Sequence, residues 1–258
     1  MKFGKWNGLG NDFIFPEPGE PCDPSEAKRL CDRRFGIGAD GLILIRPLPE
    51  GEFEMRIFNA DGSEAAMCGN ATRCAAKYIV SRGLGTGRIF RLRTLSGTVS
   101  PELLPDGRVR VDMGRPRPFL GAIELRTGGR VFAAETVSMG NPHAVIFTED
   151  LAAVPLEEWG PALEHDRIFP DRCNIEFAQL LAPGKLRMRV WERGCGITLA
   201  CGTGSCATLV AAQRRGLCGR EADLLLDGGT LHIEHEEHDD GAPVFMTGEA
   251  AEVYRGEI

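Results

Sequence analysis

Residues Met55–Cys74 read MRIFNADGSEAAMCGNATRC, and residues Met188–Cys206 read MRVWERGCGITLACGTGSC. Each opens on Met-Arg-aliphatic-aromatic, passes through a polar stretch that contains glycine, and reaches Cys-Gly where a helix is expected to begin. Thirteen positions separate Met55 from Cys68, and thirteen separate Met188 from Cys201. An interval kept this closely marks two copies of one supersecondary unit. Each copy presents one cysteine in the same setting.

Working outward, the first copy predicts a strand over Met55–Asn59 and a helix from Asn70. In that helix Ala71, Cys74, Ala75, Tyr78 and Ile79 recur at helical spacing, and Gly83 supplies the stop. Upstream, Phe3–Phe15 reads as strand, loop and strand, and Ser25 is the expected N-cap of a helix running to about Arg34. Gly36–Gly41 spells GIGADG, a formal match to the dinucleotide fingerprint, but a helix precedes it and a strand follows. That order is the reverse of the one a nucleotide site needs, so a tight turn is expected. Strands are predicted over Thr94–Val99 and Arg108–Met113, and Arg115-Pro116-Arg117-Pro118 reads as a linker.

The second copy repeats this order. Met139-Gly140-Asn141-Pro142 answers Leu9-Gly10-Asn11-Asp12, Gly228-Gly229-Thr230 answers Ser96-Gly97-Thr98, and the helix after Cys201 stops at Gly216. Residues after Gly248 have no counterpart at the end of the first copy, so the tail is expected to return to the first domain. The domains are therefore 1–112 with 249–258, carrying Cys68, and 113–248, carrying Cys201.

The 258 residues suit two domains of ordinary size, and 43% hydrophobic with 26% charged residues is the composition of a globular protein. No apolar run is long enough for a membrane span, and the N-terminus turns polar too soon for a secretory signal. A cytoplasmic location is expected. A net charge of −7 lacks the basic footprint of a nucleic-acid binder. Nine cysteines, an odd count without an export signal, are expected to be reduced, and no C-x2-C pair suggests zinc. HIEHEEHDDG, from His232 to Gly241, reads as an exposed hairpin with an Asp-Gly turn.

A cysteine at a helix N-terminus sits beside unsatisfied amides and the positive end of the helix dipole, which favour the thiolate. The amides of Gly69-Asn70 and Gly202-Thr203 are candidates to receive a substrate carboxylate. Two such cysteines on duplicated units suit inversion of a stereocentre, one removing the Cα proton and the other returning one to the opposite face. His143 is a candidate proton partner or orienter for one cysteine and Glu192 for the other, and Arg193 is a candidate carboxylate clamp.

Taken together, GLGNDF (Gly8–Phe13), FNADGSEAAMCGN (Phe58–Asn70), SMGNPH (Ser138–His143), ERG (Glu192–Gly194), ACGTG (Ala200–Gly204) and MTGEA (Met246–Ala250) resemble the diaminopimelate epimerase family. The resemblance implies an α/β fold of two pseudo-symmetric domains, each a curved mixed sheet around a central helix, with the site in the cleft between them. It implies that Cys68 and Cys201 are the acid/base pair and that no cofactor takes part. It further implies that Asn11, Asn59, Asn141, Asn174, Glu192 and Arg193 hold the substrate. The expected partner is a small-molecule amino acid, with no nucleic acid and no membrane, and a homodimer is allowed for. Gly41 stands where some members carry a substrate-contacting Gln, Ile197 replaces a commonly acidic residue, and Ala71-Thr72 replaces the more usual Gly.

Two other readings fit a facing pair of cysteines. A proline racemase or hydroxyproline epimerase uses a similar cysteine pair, but the Glu192-Arg193 charges would be unmatched by a small cyclic substrate. A redox switch, with Cys68 and Cys201 forming a reversible disulfide, would need no Asn and Arg clamps.

Overall fold

The computed structural model describes residues 1–235 and 241–258. The chain forms two compact units, Met1–Asp112 with Thr247–Ile258, and Met113–Met246. In chain order the first unit contains β1 (Lys2–Gly8), β2 (Asn11–Pro16), α1 (Ala27–Cys31), β3 (Gly41–Pro47), β4 (Glu52–Asn59), β5 (Glu64–Ala65), α2 (Gly69–Ser81), β6 (Arg91–Thr94), β7 (Gly97–Val99), β8 (Glu102–Leu103) and β9 (Val109–Asp112). There follow β10 (Arg117–Thr127), β11 (Arg130–Ser138), β12 (Pro142–Phe147), α3 (Leu156–Glu164), β13 (Asn174–Ala182), β14 (Lys185–Glu192), β15 (Gly196–Ile197), α4 (Gly202–Arg214), β16 (Glu221–Leu226), β17 (Gly229–His235) and β18 (Val244–Gly248). The last strand, β19 (Ala251–Glu257), belongs to the first unit.

The mixed sheet of the first unit runs β19-β1-β2-β3-β4-β6-β7, with β5 set against β4. Along it β1/β2 is antiparallel, β2/β3 parallel, β3/β4 antiparallel, β4/β6 parallel and β6/β7 antiparallel. The second unit gives the same alternation over β11, β12, β13, β14, β16 and β17. The outer neighbours agree as well, because β19 pairs antiparallel with β1 as β10 does with β11. The duplication read from two loops thus extends through the whole topology.

Each unit wraps its sheet around a helix of small residues. In α2 the buried set is Gly69 to Ala76 with Tyr78 and Ile79, and in α4 Gly204 to Gln213 are all buried. A helix enclosed on every side cannot show a narrow apolar stripe. Ala, Gly, Ser, Thr and Cys at these positions let strands approach closely. Around α2 lie β1, β9 and β19, and around α4 lie β11, β12, β13, β16 and β17. Trp6, Phe15 and Tyr78 close one core, and Phe132, Trp159 and Phe177 build the other.

Three local expectations need correction. Asp23, not Ser25, caps the first helical turn by accepting from the Ser25 N–H, and α1 ends at Cys31 rather than near Arg34. The stretch expected to be a linker is the start of β10, an edge strand whose register shifts after Pro118. Proline is tolerated there because an edge strand need not donate on both sides. Finally, of the exposed hairpin expected over His232–Gly241, His235 is instead buried at the end of β17, and Glu236 to Asp240, with His238 and the Asp of the expected turn, lie outside the described residues.

Candidate active site

In the first unit, β1 turns into β2 through Leu9-Gly10, with φ of 58° and 88°. Two left-handed residues in a two-residue hairpin match the right-handed twist of the strands. Only Gly10 takes this conformation without cost, so Leu9 is strained and held by its surroundings. The turn delivers Asn11 at the head of β2. There its Nδ2 donates to Asp40 Oδ2 at 2.7 Å, and its Oδ1 accepts from Asn70 Nδ2 at 3.2 Å. The half-buried Cys68 occupies the N-cap of α2 and donates from Sγ to the same Asn11 oxygen at 3.7 Å. Asp40 is fixed by Arg33, which also grips Asp12 through two hydrogen bonds of 3.0 and 2.7 Å. Lys5 adds an ion pair to Asp12 at 2.8 Å. Burial would raise the Asp12 carboxyl, but Arg33 and Lys5 outweigh it and hold it at about 2. Asn59 stands apart, exposed at the end of β4 and bonded to Ser63 Oγ at 2.9 Å.

In the second unit Cys201 is the N-cap of α4 and is only 4% exposed. Its sulfur accepts from the Gly204 N–H at 3.4 Å and lies 3.6 Å from Thr203 Oγ1. Asn141 Nδ2 donates to that hydroxyl oxygen at 3.3 Å, and Asn141 Oδ1 faces His143 Nε2 at 3.0 Å. On its other side, His143 meets Glu176 Oε1 at 2.6 Å, both side chains being fully buried. Glu192 accepts from Thr198 Oγ1 and shares a hydrogen bond with Cys201. Burial raises the Glu192 carboxyl, against the pull of Thr198 and Cys201. Burial, then the charges of Glu192 and Glu176, push the Cys201 thiol well above its ordinary value. Glu192, when ionised, is placed to take the proton of the Cys201 thiol. The sulfur it leaves is then met by the Gly204 amide and the Thr203 hydroxyl.

Asn174 and Arg193 are brought together differently. Asn174 Oδ1 accepts the Arg193 backbone N–H at 2.9 Å, and its amide donates to the Pro142 carbonyl at 2.8 Å. The exposed Arg193 guanidinium reaches the Asp171 carbonyl at 3.2 Å. Buried Glu164 completes the loop, accepting from Gly194 N at 2.9 Å and Trp191 Nε1 at 2.7 Å. The sequence reading missed Glu164, Thr198, Asp40 and Glu176. Glu176 lies two residues after Asn174 and so shares its strand face, a placement that alone does not mark it as buried. Of the histidines set aside earlier, His232 pairs with Asp223 at 2.8 Å and His235 with Gln213 at 2.7 Å. Among the described residues no three His, Cys, Asp or Glu side chains converge as metal ligands, and no helix is long and apolar enough to cross a membrane.

Several solved structures share this fold along the full chain. A Bacillus anthracis phenazine biosynthesis protein of the PhzF family superposes with a TM-score of 0.77 at 15% identity, covering 100% of this chain and 98% of its own. A probable proline racemase from Agrobacterium radiobacter gives 0.75 at 15% identity, covering 100% and 92%. A hydroxyproline epimerase from Agrobacterium vitis gives 0.74 at 14%, covering 99% and 91%. At such identities the likeness speaks for the fold alone: a two-domain mixed α/β architecture common to racemases, epimerases and PhzF proteins.

Sequence carries the assignment further. The family described as diaminopimelate epimerase matches residues 3–118 and 135–253. The diaminopimelate epimerase of Pelotomaculum thermopropionicum is 50% identical over 100% of this chain and 98% of its own length. A Synechococcus relative of the same name is 47% identical over 99% and 97%. The chain belongs to the diaminopimelate epimerase family.

Proposed function

We propose that this enzyme interconverts LL- and meso-diaminopimelate by two-base proton transfer at Cα, without a cofactor, in the supply of lysine and peptidoglycan precursors. The observation that carries the reading is the recurrence of a cysteine at the N-cap of the enclosed helix in both units, Cys68 before α2 and Cys201 before α4. As thiolate, one cysteine removes the Cα proton; the other, as thiol, protonates the opposite face. Charge developing on the substrate carboxylate is met by helix-terminal amides at Gly69-Asn70 and Gly202-Thr203.

Glu192 serves as the proton partner of Cys201, and His143 supports the same site through Asn141. Asn11, Asn59, Asn141 and Asn174, with Glu192 and Arg193, hold the substrate, the last two at its distal amino-carboxylate end. A cytoplasmic homodimer is the expected form, and its mass in sedimentation tests the dimer.

The deciding experiment follows the Cα–H signal by NMR in heavy water. Reduced enzyme is mixed with LL-diaminopimelate, and with proline and hydroxyproline in parallel. Loss of the signal with meso product, abolished in Cys68→Ala and in Cys201→Ala, is the expected result. Exchange with proline or hydroxyproline alone, or with none of the three, would overturn the proposal.

A further inference from the structure

The two units solve one packing problem with different chemistry. Strand pairing places Phe13 opposite Gly41 in β2/β3, and His143 opposite Asn174 in β12/β13. Two residues further along, β3 carries Ile43 and β13 carries Glu176. Phe13 and Ile43 are buried apolar residues, whereas their counterparts His143 and Glu176 are a buried ionisable pair. Behind them, α2 has Ala71 three residues after its cysteine where α4 has Gly204. A Cβ on Gly204 would come within 2.7 Å of Glu176 Oε1, so glycine there makes room for the carboxylate. The frame thus holds an apolar pair in one unit and, with glycine behind it, a hydrogen-bonded ionisable pair in the other. Burying such a pair costs more desolvation than an apolar pair of similar volume, so stability does not explain it.

Hydrogen-bond direction tells what the pair does. Glu176 Oε1 receives from His143 Nδ1, and Asn141 Oδ1 receives from His143 Nε2, because the Asn141 amide nitrogen is committed to Thr203. With Glu176 ionised, both contacts are hydrogen bonds only when both ring nitrogens carry hydrogens. The second Glu176 oxygen is buried and makes no hydrogen bond among the described residues, so the carboxyl is held through its contact with the ring. Once Thr203 Oγ1 accepts from Asn141, its own hydrogen is free to point at Cys201 Sγ. In the first unit the direction is reversed: Asp40 takes the Asn11 amide, and the Asn11 oxygen is turned to Cys68. The other titratable groups around the His143–Glu176 pair are Glu192 at the end of β14, Cys201 before α4, and Cys173 before β13.

We infer that Glu176 is a positioning residue for the reaction proposed above: it holds His143 with both nitrogens as donors and, through Asn141 and Thr203, aims a hydroxyl hydrogen at Cys201. The inference rests on the epimerase reading for its kinetic consequence, but its spectroscopic test needs no turnover. In protein labelled with 15N-histidine, the His143 ring, assigned by its loss in His143→Phe, is expected to carry two protonated nitrogens at neutral pH. In Glu176→Gln it is expected to carry one. With LL-diaminopimelate, Glu176→Gln is expected to lower kcat by about tenfold to a hundredfold with KM little changed, the signature of an interaction made in the transition state. A ring and a kcat both unchanged in Glu176→Gln would overturn the inference. Should that variant fail to fold, the wild-type spectrum decides: a doubly protonated ring supports the assignment, and a singly protonated one overturns it.

Discussion

Behind the cysteine of the first unit lie ion pairs that reach the surface at Arg33 and Asp40, and near that of the second lie one fully buried and one half-buried carboxylate. Asp12 and Asp40 in the first are clamped by Lys5 and Arg33, the latter largely exposed. In the second, Glu176 is fully buried and Glu192 is half-buried. A duplicated frame has kept its backbone topology while its polar layers diverged. The difference teaches that equivalent positions in the two copies do not carry equivalent roles. Asn59 and Glu192, which close the same strand of the repeat, are the clearest pair: the side chain of one donates to Ser63 in its own turn, and that of the other reaches the cysteine.

The hardest test of this comparison transplants one unit's solution into the other. The double variant His143→Phe/Glu176→Ile copies Phe13 and Ile43. It is expected to lose about 10³-fold in turnover while unfolding in urea at the same or a higher midpoint, since apolar replacement of a buried ion pair is often neutral or stabilising. Turnover within a few-fold of wild type would break the distinction between the units. Next in size, Glu192→Gln is expected to reduce kcat by about 10²-fold, and Asn59→Ala at the equivalent position should act mainly on KM. Equal losses of kcat at both positions would restore the symmetry argued against here.

The ion pairs of the first unit give a pH signature. Asp12 is held at about 2, below its usual 3.8, so its contribution is present above about pH 4 and is lost as pH falls through 2. The depression corresponds to about 2 kcal/mol. Glu252 behaves likewise, since Arg82 and Arg255 overcome its burial and hold it at about 2. Urea unfolding between pH 5 and pH 2 is expected to show wild type losing this stability and Asp12→Asn losing less across the same window. A pH dependence identical in the two proteins would remove Asp12 from the account. The smallest effect is expected at Gly41, where a Cβ would approach the Phe58 carbonyl oxygen to 2.9 Å. Gly41→Gln should therefore cost about 1 kcal/mol or somewhat more in strand distortion without tightening the substrate KM. A lower KM would show that the strand can host this side chain and put it to use.

How much of this was legible in the sequence varied with the kind of signal. The Met-to-Cys interval and the glycine turns repeat, so topology and helix starts could be read from spacing alone. The buried layer behind the cysteines could not. Glu176 sits in NIEFAQLL, where one acidic residue in an apolar strand looks like an ordinary solvent-facing position, and only its burial against His143 shows otherwise. Asp40 was hidden for the opposite reason, lying in a glycine-rich turn whose motif drew attention to phosphate binding. Arg117-Pro118 looked like a linker because proline breaks interior strands, whereas β10 is an edge strand.

The strand at the far end of the chain carries a consequence for how the protein comes off the ribosome. Residues Thr247–Ile258 belong to the unit that begins at Met1, with β19 laid against β1 and Arg82 ion-paired to both Glu17 and Glu252. The intervening unit is one continuous stretch, Met113–Met246, and can close as soon as it has emerged. The half translated first must hold its β1 edge unpaired until the last residues appear, a wait that exposes strand edges to other chains. During synthesis, what begins first is completed last, and the nascent first unit is the place where a chaperone would have the most to protect.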